Sequence, residues 1–262
     1  MFRSKDREEC ERLLEKYYRD YKFHDALYRD LINKHIQPGH RLLDAGCGRY
    51  MKYCKELSGV AQVVGIDLEP VLETNNEHFP FGVRGNLAHL PFPSDYFDVV
   101  ISRSVVEHLE DPLAVFREFA RVLRPGGKIV IVTPNKYDYV SVIAAITPYR
   151  FHRFLVSRLF QVPGGDAFPT LYRANTRSAL RKIFRGASLT EVELQMVNHY
   201  PAYLMFSPLL FRLGILYERL TSLAALAFLR GLILAVFQKP VQTADSEPHV
   251  QPTKPAAISV SR

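Results

Sequence analysis

Asp44, Gly46 and Gly48 lie in the run "RLLDAGCGRYMKY" (41–53), where an apolar stretch meets an acid and two glycines before a helix-like pattern begins. Glycine removes the side chain and lets a ligand approach the backbone. A dinucleotide site would carry G-x-G-x-x-G here, with a pyrophosphate at the helix N-terminus. Instead, Met51 stands three residues after Gly48. An acid ahead of the glycines repels a pyrophosphate and suits a cationic ligand, such as one with an amino group and a sulfonium. Asp67 follows Gly48 at the distance where a carboxylate at the end of the next strand can accept both hydroxyls of a ribose. A second cluster, Glu107 and His108 in "VVEHLED" (105–111), offers an acid and a base. A histidine with a pKa near about 6.5 can take a proton at neutral pH. The alternative for His108 is a packing or capping role at the helix that follows.

The elements that must position these groups alternate. "RLLDAG", "QVVGIDL" (62–68), "FGVRGNL" (81–87), "FDVVISRSV" (97–105) and "KIVIVTP" (128–134) read as strands. Helices are expected at 50–58, 69–78 and 111–123, with an "RPGG" turn before the last of these strands. Nearly continuous Val/Ile strands alternating with helices imply a doubly wound, mostly parallel α/β sheet covered on both faces. In such a sheet ligands bind at the carboxyl ends of the strands, near the topological switch point. Residues 5–36 read as helix ended by "QPGH", 175–187 as a helix capped by Asn175 or Thr176, and 188–197 as a strand. "AYLMF" (202–206) is the natural candidate for a seventh strand.

The 262 residues, 47% hydrophobic and 23% charged, suffice for one large core or one domain with an appendage. Three cysteines without metal-ligand spacing fit a reducing, cytoplasmic setting, and the charged N-terminus shows no secretory h-region. The net charge of +7 favours anionic partners. The excess is local: 136–185 holds nine Lys/Arg against two Asp/Glu, whereas 1–36 is nearly balanced.

"LLDAGCG", "VVGIDLEP", "GNLAHLPFPSDYFDVVISRSVVEHLEDP" and "EFARVLRPGGKIVIVTPN" together resemble the class I S-adenosylmethionine-dependent methyltransferases over roughly 38–135, and the likeness resumes at 172–197. The resemblance implies a Rossmann-like fold with S-adenosyl-L-methionine as cofactor. It implies that Asp44, Gly46 and Gly48 wrap the methionine part, that Asp67 holds the ribose hydroxyls and that Leu68 packs on the adenine. Asn86 and Leu87 fall at the adenine edge, where the family often has Asp and an apolar residue, and Ser102 ends the fourth strand beside the site. Tyr50 replaces a frequent third glycine. Some related quinone O-methyltransferases bind a divalent metal through an acid-x-x-Glu-His cluster. The first acid is Ser104 here, so no metal site is assigned.

The division expected from these features is an N-terminal helical extension (1–37), a cofactor-binding core (38–135), a basic and aromatic acceptor-side insert (136–174), the end of the core (175–206), an apolar helical region (207–238) and a disordered tail (239–262). "YRFHRFLVSRLFQV" (149–162), with His152 among its arginines, reads as a basic amphipathic segment. Were 210–237 one helix, Arg212, Arg219 and Arg230 would share a stripe beside a broad apolar face. Such a helix suits an anionic membrane surface, a core or dimer contact, or a span. The expected acceptor is a small molecule of membrane-associated or amphipathic type (lipid, lipid-linked glycan or quinone), with the protein cytoplasmic and peripheral at the membrane. A nicotinamide oxidoreductase and a non-catalytic subunit anchored to a membrane enzyme are the alternatives. Nucleic acid is not expected as a partner, because no aromatic catalytic motif follows the fourth strand.

Overall fold

The computed structural model describes residues 4–19, 21–48, 52–57, 59, 61–69, 82–146 and 168–241. In chain order the elements are α1 (Ser4–Tyr18), α2 (His24–Asn33), β1 (Arg41–Ala45), α3 (Lys52–Leu57), β2 (Gln62–Asp67), β3 (Gly82–Arg84), β4 (Phe97–Arg103), α4 (Pro112–Val122), β5 (Leu123–Pro134), α5 (Tyr139–Ile146), α6 (Arg177–Gly186), β6 (Thr190–Val197), α7 (Pro208–Thr221) and β7 (Leu232–Gln238). The strands form one sheet in the order β3-β2-β1-β4-β5-β7-β6. The first five pair in parallel, and β7 runs antiparallel to both β5 and β6. Strand order reverses between β1 and β4, so a ligand crevice opens at their carboxyl ends. Because β6 and β5 both oppose β7, they run the same way. Val197 and Pro134 both pair with Leu232 and end at one level.

Strands buried on both faces need apolar runs, and β4 is buried from Phe97 through Ser102. On one face α4 and α6 bring Phe116, Phe119 and Phe184 against Leu43, Val100, Ile129 and Phe237. The rings of Phe184 and Phe237 stack with centroids 3.4 Å apart. On the other face α2 and α3 bring Tyr28, Leu31, Ile32, Tyr53 and Leu57 against Leu42, Val63, Val99 and Val130. The Asp111 carboxylate caps α4 by accepting from Ala114 N (3.1 Å), with Pro112 in the first turn. Thr176 caps α6 in the same way through Ala179 N (3.1 Å). A third cluster, Cys10 with Phe211 and Ile215, joins α1 to α7.

Four expectations are corrected. The single helix over 5–36 is two, because Phe23 is extended (φ −58°, ψ 147°) and starts α2 afresh. The "RPGG" turn lies within a longer β5, whose pairing with β4 shifts register between Phe97 and Val99. "AYLMF" is no strand: it lies between Pro201 and Pro208, and Ala202–Leu204 form a 3₁₀ turn. The seventh strand is instead "LILAVFQ", taken from the region expected to be helical. A short, uniformly apolar run has no periodicity that separates a buried strand from a buried helix. Finally, 210–237 is not one helix. α7 ends at Thr221, Ala224–Leu229 is a 3₁₀ turn, and Arg230 faces inward, donating to the carbonyls of Thr221 (2.9 Å), Met196 (3.0 Å) and Ser222 (2.9 Å). Of the arginine stripe only Arg212 and Arg219 share a helix; Arg212 pairs with Glu9 and Arg219 lies over the Tyr17 ring. Among the described residues no helix is long and apolar enough to cross a membrane. The expected helix at 69–78, Tyr50, the basic segment 149–162 and the tail from 242 lie outside or almost wholly outside the described residues.

Candidate active site

The crevice is built first from backbone. Beyond β1 the chain turns through Gly46 at φ +80°, with its N–H on the carbonyl of Ile66 (2.8 Å). A Cβ added there would stand 2.2 Å from Cγ2 of Val105, so the residue after β1 must be glycine to let the loop after β4 close over it. Gly48 also has positive φ (+65°), and its N–H donates to Oδ2 of Asp67 at 2.8 Å. The other oxygen of Asp67 accepts from Glu69 N at 3.0 Å. The carboxylate is thereby fixed between the loops after β1 and β2, and each oxygen keeps a second lone pair for a ligand donor. Leu68 beside it is 52% exposed, an apolar surface open to an aromatic ring.

Asp44 is buried at the end of β1. Burial, with smaller contributions from Asp44 and Asp67, pushes the Cys47 thiol up to about 12. Asp44 and Asp67 place two carboxyls beside this loop, which fits a sulfonium and an ammonium and not a pyrophosphate. Asn86 follows β3, its side-chain oxygen accepting from Ala88 N (2.9 Å). Leu87 is buried in the core behind it. Ser102 is buried and donates to Ala45 O at 2.9 Å, tying β4 to β1.

Arg103, the last residue of β4, holds Asp25 of α2 at 2.7 Å, and Asp25 also meets Lys52 of α3 at 3.2 Å. Burial is the largest single influence on the Asp25 carboxyl and raises it, but Arg103, Lys52 and His24 together outweigh burial and draw it below its usual range. These contacts fasten α2 across the carboxyl edge. Nε of Arg103 is buried without a partner, a donor available to a ligand carboxylate.

Glu107 and His108 form a 3₁₀ turn (Val106–His108) just past β4. Glu107 is only 4% exposed. Asn175 Nδ2 donates to Thr133 Oγ1 (2.6 Å), which donates to Glu107 Oε2 (3.0 Å). Burial raises the Glu107 carboxyl, while its own backbone N–H, His108 and Thr133 act in the opposite direction. His108 is more accessible. Its Nδ1 lies 3.1 Å from the carbonyl of Pro169 and its Nε2 3.9 Å from Glu107. A carbonyl only accepts, so Nδ1 carries the proton and neutral His108 keeps its lone pair on Nε2. The backbone is unusual on both sides, with Ser104 at φ +54° and Tyr172 at φ +50°. Tyr172 N and Leu171 N both donate to Glu107 O, so the segment before α6 crosses directly over the turn.

Residues 43–131 match the family model described as a methyltransferase domain. Over these residues the chain is similar to a methyltransferase domain. It is 34% identical over 122 residues to a probable S-adenosylmethionine-dependent methyltransferase of Mycolicibacterium smegmatis, covering 45% of this chain and 47% of that protein. A ubiquinone/menaquinone biosynthesis C-methyltransferase of Vibrio parahaemolyticus is 28% identical over 155 residues, covering 53% and 58%. The chain thus spans about half the length of the curated relatives it matches. The fold is similar to that of geranyl diphosphate C-methyltransferase from Streptomyces coelicolor, solved with Mg2+, geranyl diphosphate and S-adenosyl-L-homocysteine (TM-score 0.53, 16% identity, 82% of this chain and 80% of that one).

The domain's own switch point brings Asp44, Gly46, Gly48, Asp67 and Leu68 together in the first two loops, with Ser102 on the adjacent strand. Further along the same edge stands a group that the motifs do not announce: Asp138, His199 and Glu218, described below. The signal that could have found His199 is its place two residues beyond β6, which ends level with β5. Among the described residues no group of three or more His, Cys, Asp or Glu is arranged to hold a metal ion.

Proposed function

We propose that this protein transfers the methyl group of S-adenosylmethionine to a membrane-associated or amphipathic small acceptor of lipid, lipid-linked glycan or quinone type, working as a peripheral protein at an anionic membrane surface on the cytoplasmic side. The observation that carries the choice of acceptor is on α7. Leu209, Leu213, Leu216 and Leu220 recur every three or four residues on its outer face and continue into Leu223 and Phe228; all are between 47% and 68% exposed. The inner face of the same helix, Phe211, Gly214 and Ile215, is spent on packing. Single exposed leucines are ordinary, but six on one surface mark an interaction site. The net charge of +7 favours anionic lipid.

Bound S-adenosylmethionine supplies an electrophilic methyl on a sulfonium that leaves as a neutral thioether. The protein's task is mainly alignment, plus removal of a proton where the acceptor is an oxygen or nitrogen. Asp67, Asp44 and the glycine loop hold the cofactor, with Leu68, Asn86, Leu87 and Ser102 around it. His108 is the base, its tautomer set by Pro169, and Glu107 is the buried carboxyl behind it that favours the imidazolium formed.

The test is co-sedimentation of the full chain with anionic and with zwitterionic vesicles, alongside transfer of labelled methyl into the vesicle lipids. The chain is expected to sediment with anionic vesicles, and Leu213→Glu with Leu216→Glu to abolish this while leaving cofactor binding intact. His108→Gln is expected to lower turnover about 10²–10⁴-fold. Equal sedimentation of chain and variant, or none of either, overturns the membrane reading. Absence of cofactor binding overturns the enzyme reading.

A further inference from the structure

Past the ends of β5 and β6 lies a buried group that the methyl-transfer roles above leave unused. Asp138 opens α5 and is 2% exposed; Glu218 on α7 is 7% exposed. Oδ2 of Asp138 accepts from Val140 N (3.0 Å) and lies 3.2 Å from Nε2 of His199. Nδ1 of His199 lies 3.2 Å from the carbonyl of Tyr200. With an acceptor at each ring nitrogen, the surroundings of His199 favour the imidazolium form. Tyr18 donates to Oε2 of Glu218. Oδ1 of Asp138, Oε1 of Glu218 and the Tyr139 hydroxyl are all buried without a partner.

The surrounding walls are aromatic. The Tyr139 ring lies 6.0 Å from His199 and 5.1 Å from Tyr217, and the Tyr18 ring lies 5.4 Å from Tyr21 and 6.0 Å from Tyr200. The hydroxyls of Tyr217 and Tyr21 are engaged by the carbonyls of Leu229 and Asn198, each at 2.7–2.8 Å.

Were Asp138 and Glu218 both ionised, the single His199 imidazolium would leave one negative charge uncompensated in a poorly solvated place. Burial is the leading cause that raises Glu218 to about 7; Asp138 adds to it, and His199 and Tyr18 only partly offset it. Three orphaned oxygens that can accept, one surplus negative charge and tyrosine faces match a single chemistry. An alkylammonium has up to three N–H donors, one positive charge and an affinity for aromatic faces. A divalent metal does not match, since no metal-ligating triad is present among the described residues.

We propose that Asp138, Glu218 and Tyr139 form a subsite for an ammonium group on the methyl acceptor. This deepens the methyl-transfer reading, because the subsite sits on the edge where β4 carries Glu107 and His108. It narrows the acceptor to an amphiphile with a cationic head group.

The probe is n-butylammonium, with n-butanol as the uncharged isostere, titrated into the full chain with and without S-adenosylhomocysteine. The readouts are ligand-observed NMR and the titration of the Glu218 side-chain carbon. Butylammonium is expected to bind at least tenfold more tightly than butanol and to shift the Glu218 titration to lower pH. Glu218→Gln is expected to weaken butylammonium at least tenfold and leave butanol unchanged. Tyr139→Phe removes one oxygen without a charge and is expected to weaken it severalfold, which keeps the test usable if the Gln variant fails to fold. Equal affinity for the two probes, an unmoved Glu218 titration, or a crystal soaked in butylammonium that shows only water on these oxygens overturns the subsite. Cofactor binding measured in the same samples separates this failure from failure of the methyltransferase reading.

Discussion

The β1–β2 end of the sheet is built from backbone: two positive-φ glycines and one carboxylate pinned by the amides of Gly48 and Glu69. The β5–β6 end is built from side chains drawn from α1, α5, α7 and the loop after β6, and most of them titrate. The first end can be written in a dozen consecutive residues, because backbone geometry is local. The second needs Tyr18, Asp138, His199 and Glu218 to meet across most of the chain. A site that must accept one invariant cofactor can be built from main chain. A site that must discriminate among acceptors is built from groups that substitution can exchange.

The sharpest way to break the cofactor end is Gly46→Val. It forces positive φ on a β-branched residue and drives its Cβ into Val105. The expected outcome is a loss of about 3 kcal/mol or more in denaturant unfolding, with cofactor binding lost in whatever remains folded.

At the other end the contrast appears as pH dependence. Glu218 is raised from 4.5 to about 7 in the folded chain. Between those values the folded state holds a proton that the unfolded state has released. Stability is therefore greatest below about 4.5, falls as pH rises, and levels off above about 7, by up to about 3 kcal/mol. His199, raised by Asp138 against burial, adds to the same decline as pH passes through its folded-state value. Asp25 and Glu118 are lowered and act in the opposite direction at acid pH. Urea melts from pH 4.5 to 8 are expected to show the fall, and Glu218→Gln to flatten most of it. An unchanged slope in the variant would move the effect elsewhere.

A smaller effect separates binding from folding. Asp67→Ala removes the acceptor for two amides at the surface of the crevice. S-adenosylmethionine affinity by calorimetry is expected to fall about 10- to 100-fold, or about 1.4–2.7 kcal/mol, with Tm moved by only a few degrees. Normal affinity in that variant would remove Asp67 from the site.

The parallel half of the fold was legible because β-branched runs, turn residues and capped helices alternate there: Asp111 and Thr176 announce α4 and α6 as plainly as Leu42-Leu43 announces β1. The places of Asp44, Gly46, Gly48 and Asp67 were legible because each lies within a few residues of the end of β1 or β2. β7 was not, since an apolar run without alternation reads the same as strand or helix until its neighbours are known. Arg230 misled for a related reason. Its spacing matches helical turns, but it serves the carbonyls of Thr221 and Ser222 at the end of α7 and of Met196 in β6. The Asp138–His199–Glu218 group was illegible because tertiary contact alone assembles it.

The position of β7 bears on the order in which the molecule can be made. The strand that comes last in sequence lies between two that come before it, with Val130 on one side matched to Val236 and Leu194 on the other matched to Ala235. Until 232–238 is available, β5 and β6 each present an open edge, and Phe184 lacks the ring it stacks on. Open edges are templates for foreign strands. Long-range pairing of this kind is also slow, because the loop must close before any contact rewards it. Until 232–238 has been synthesised the nascent chain therefore holds a five-stranded half-sheet awaiting insertion, and that interval is when aggregation competes most strongly with folding.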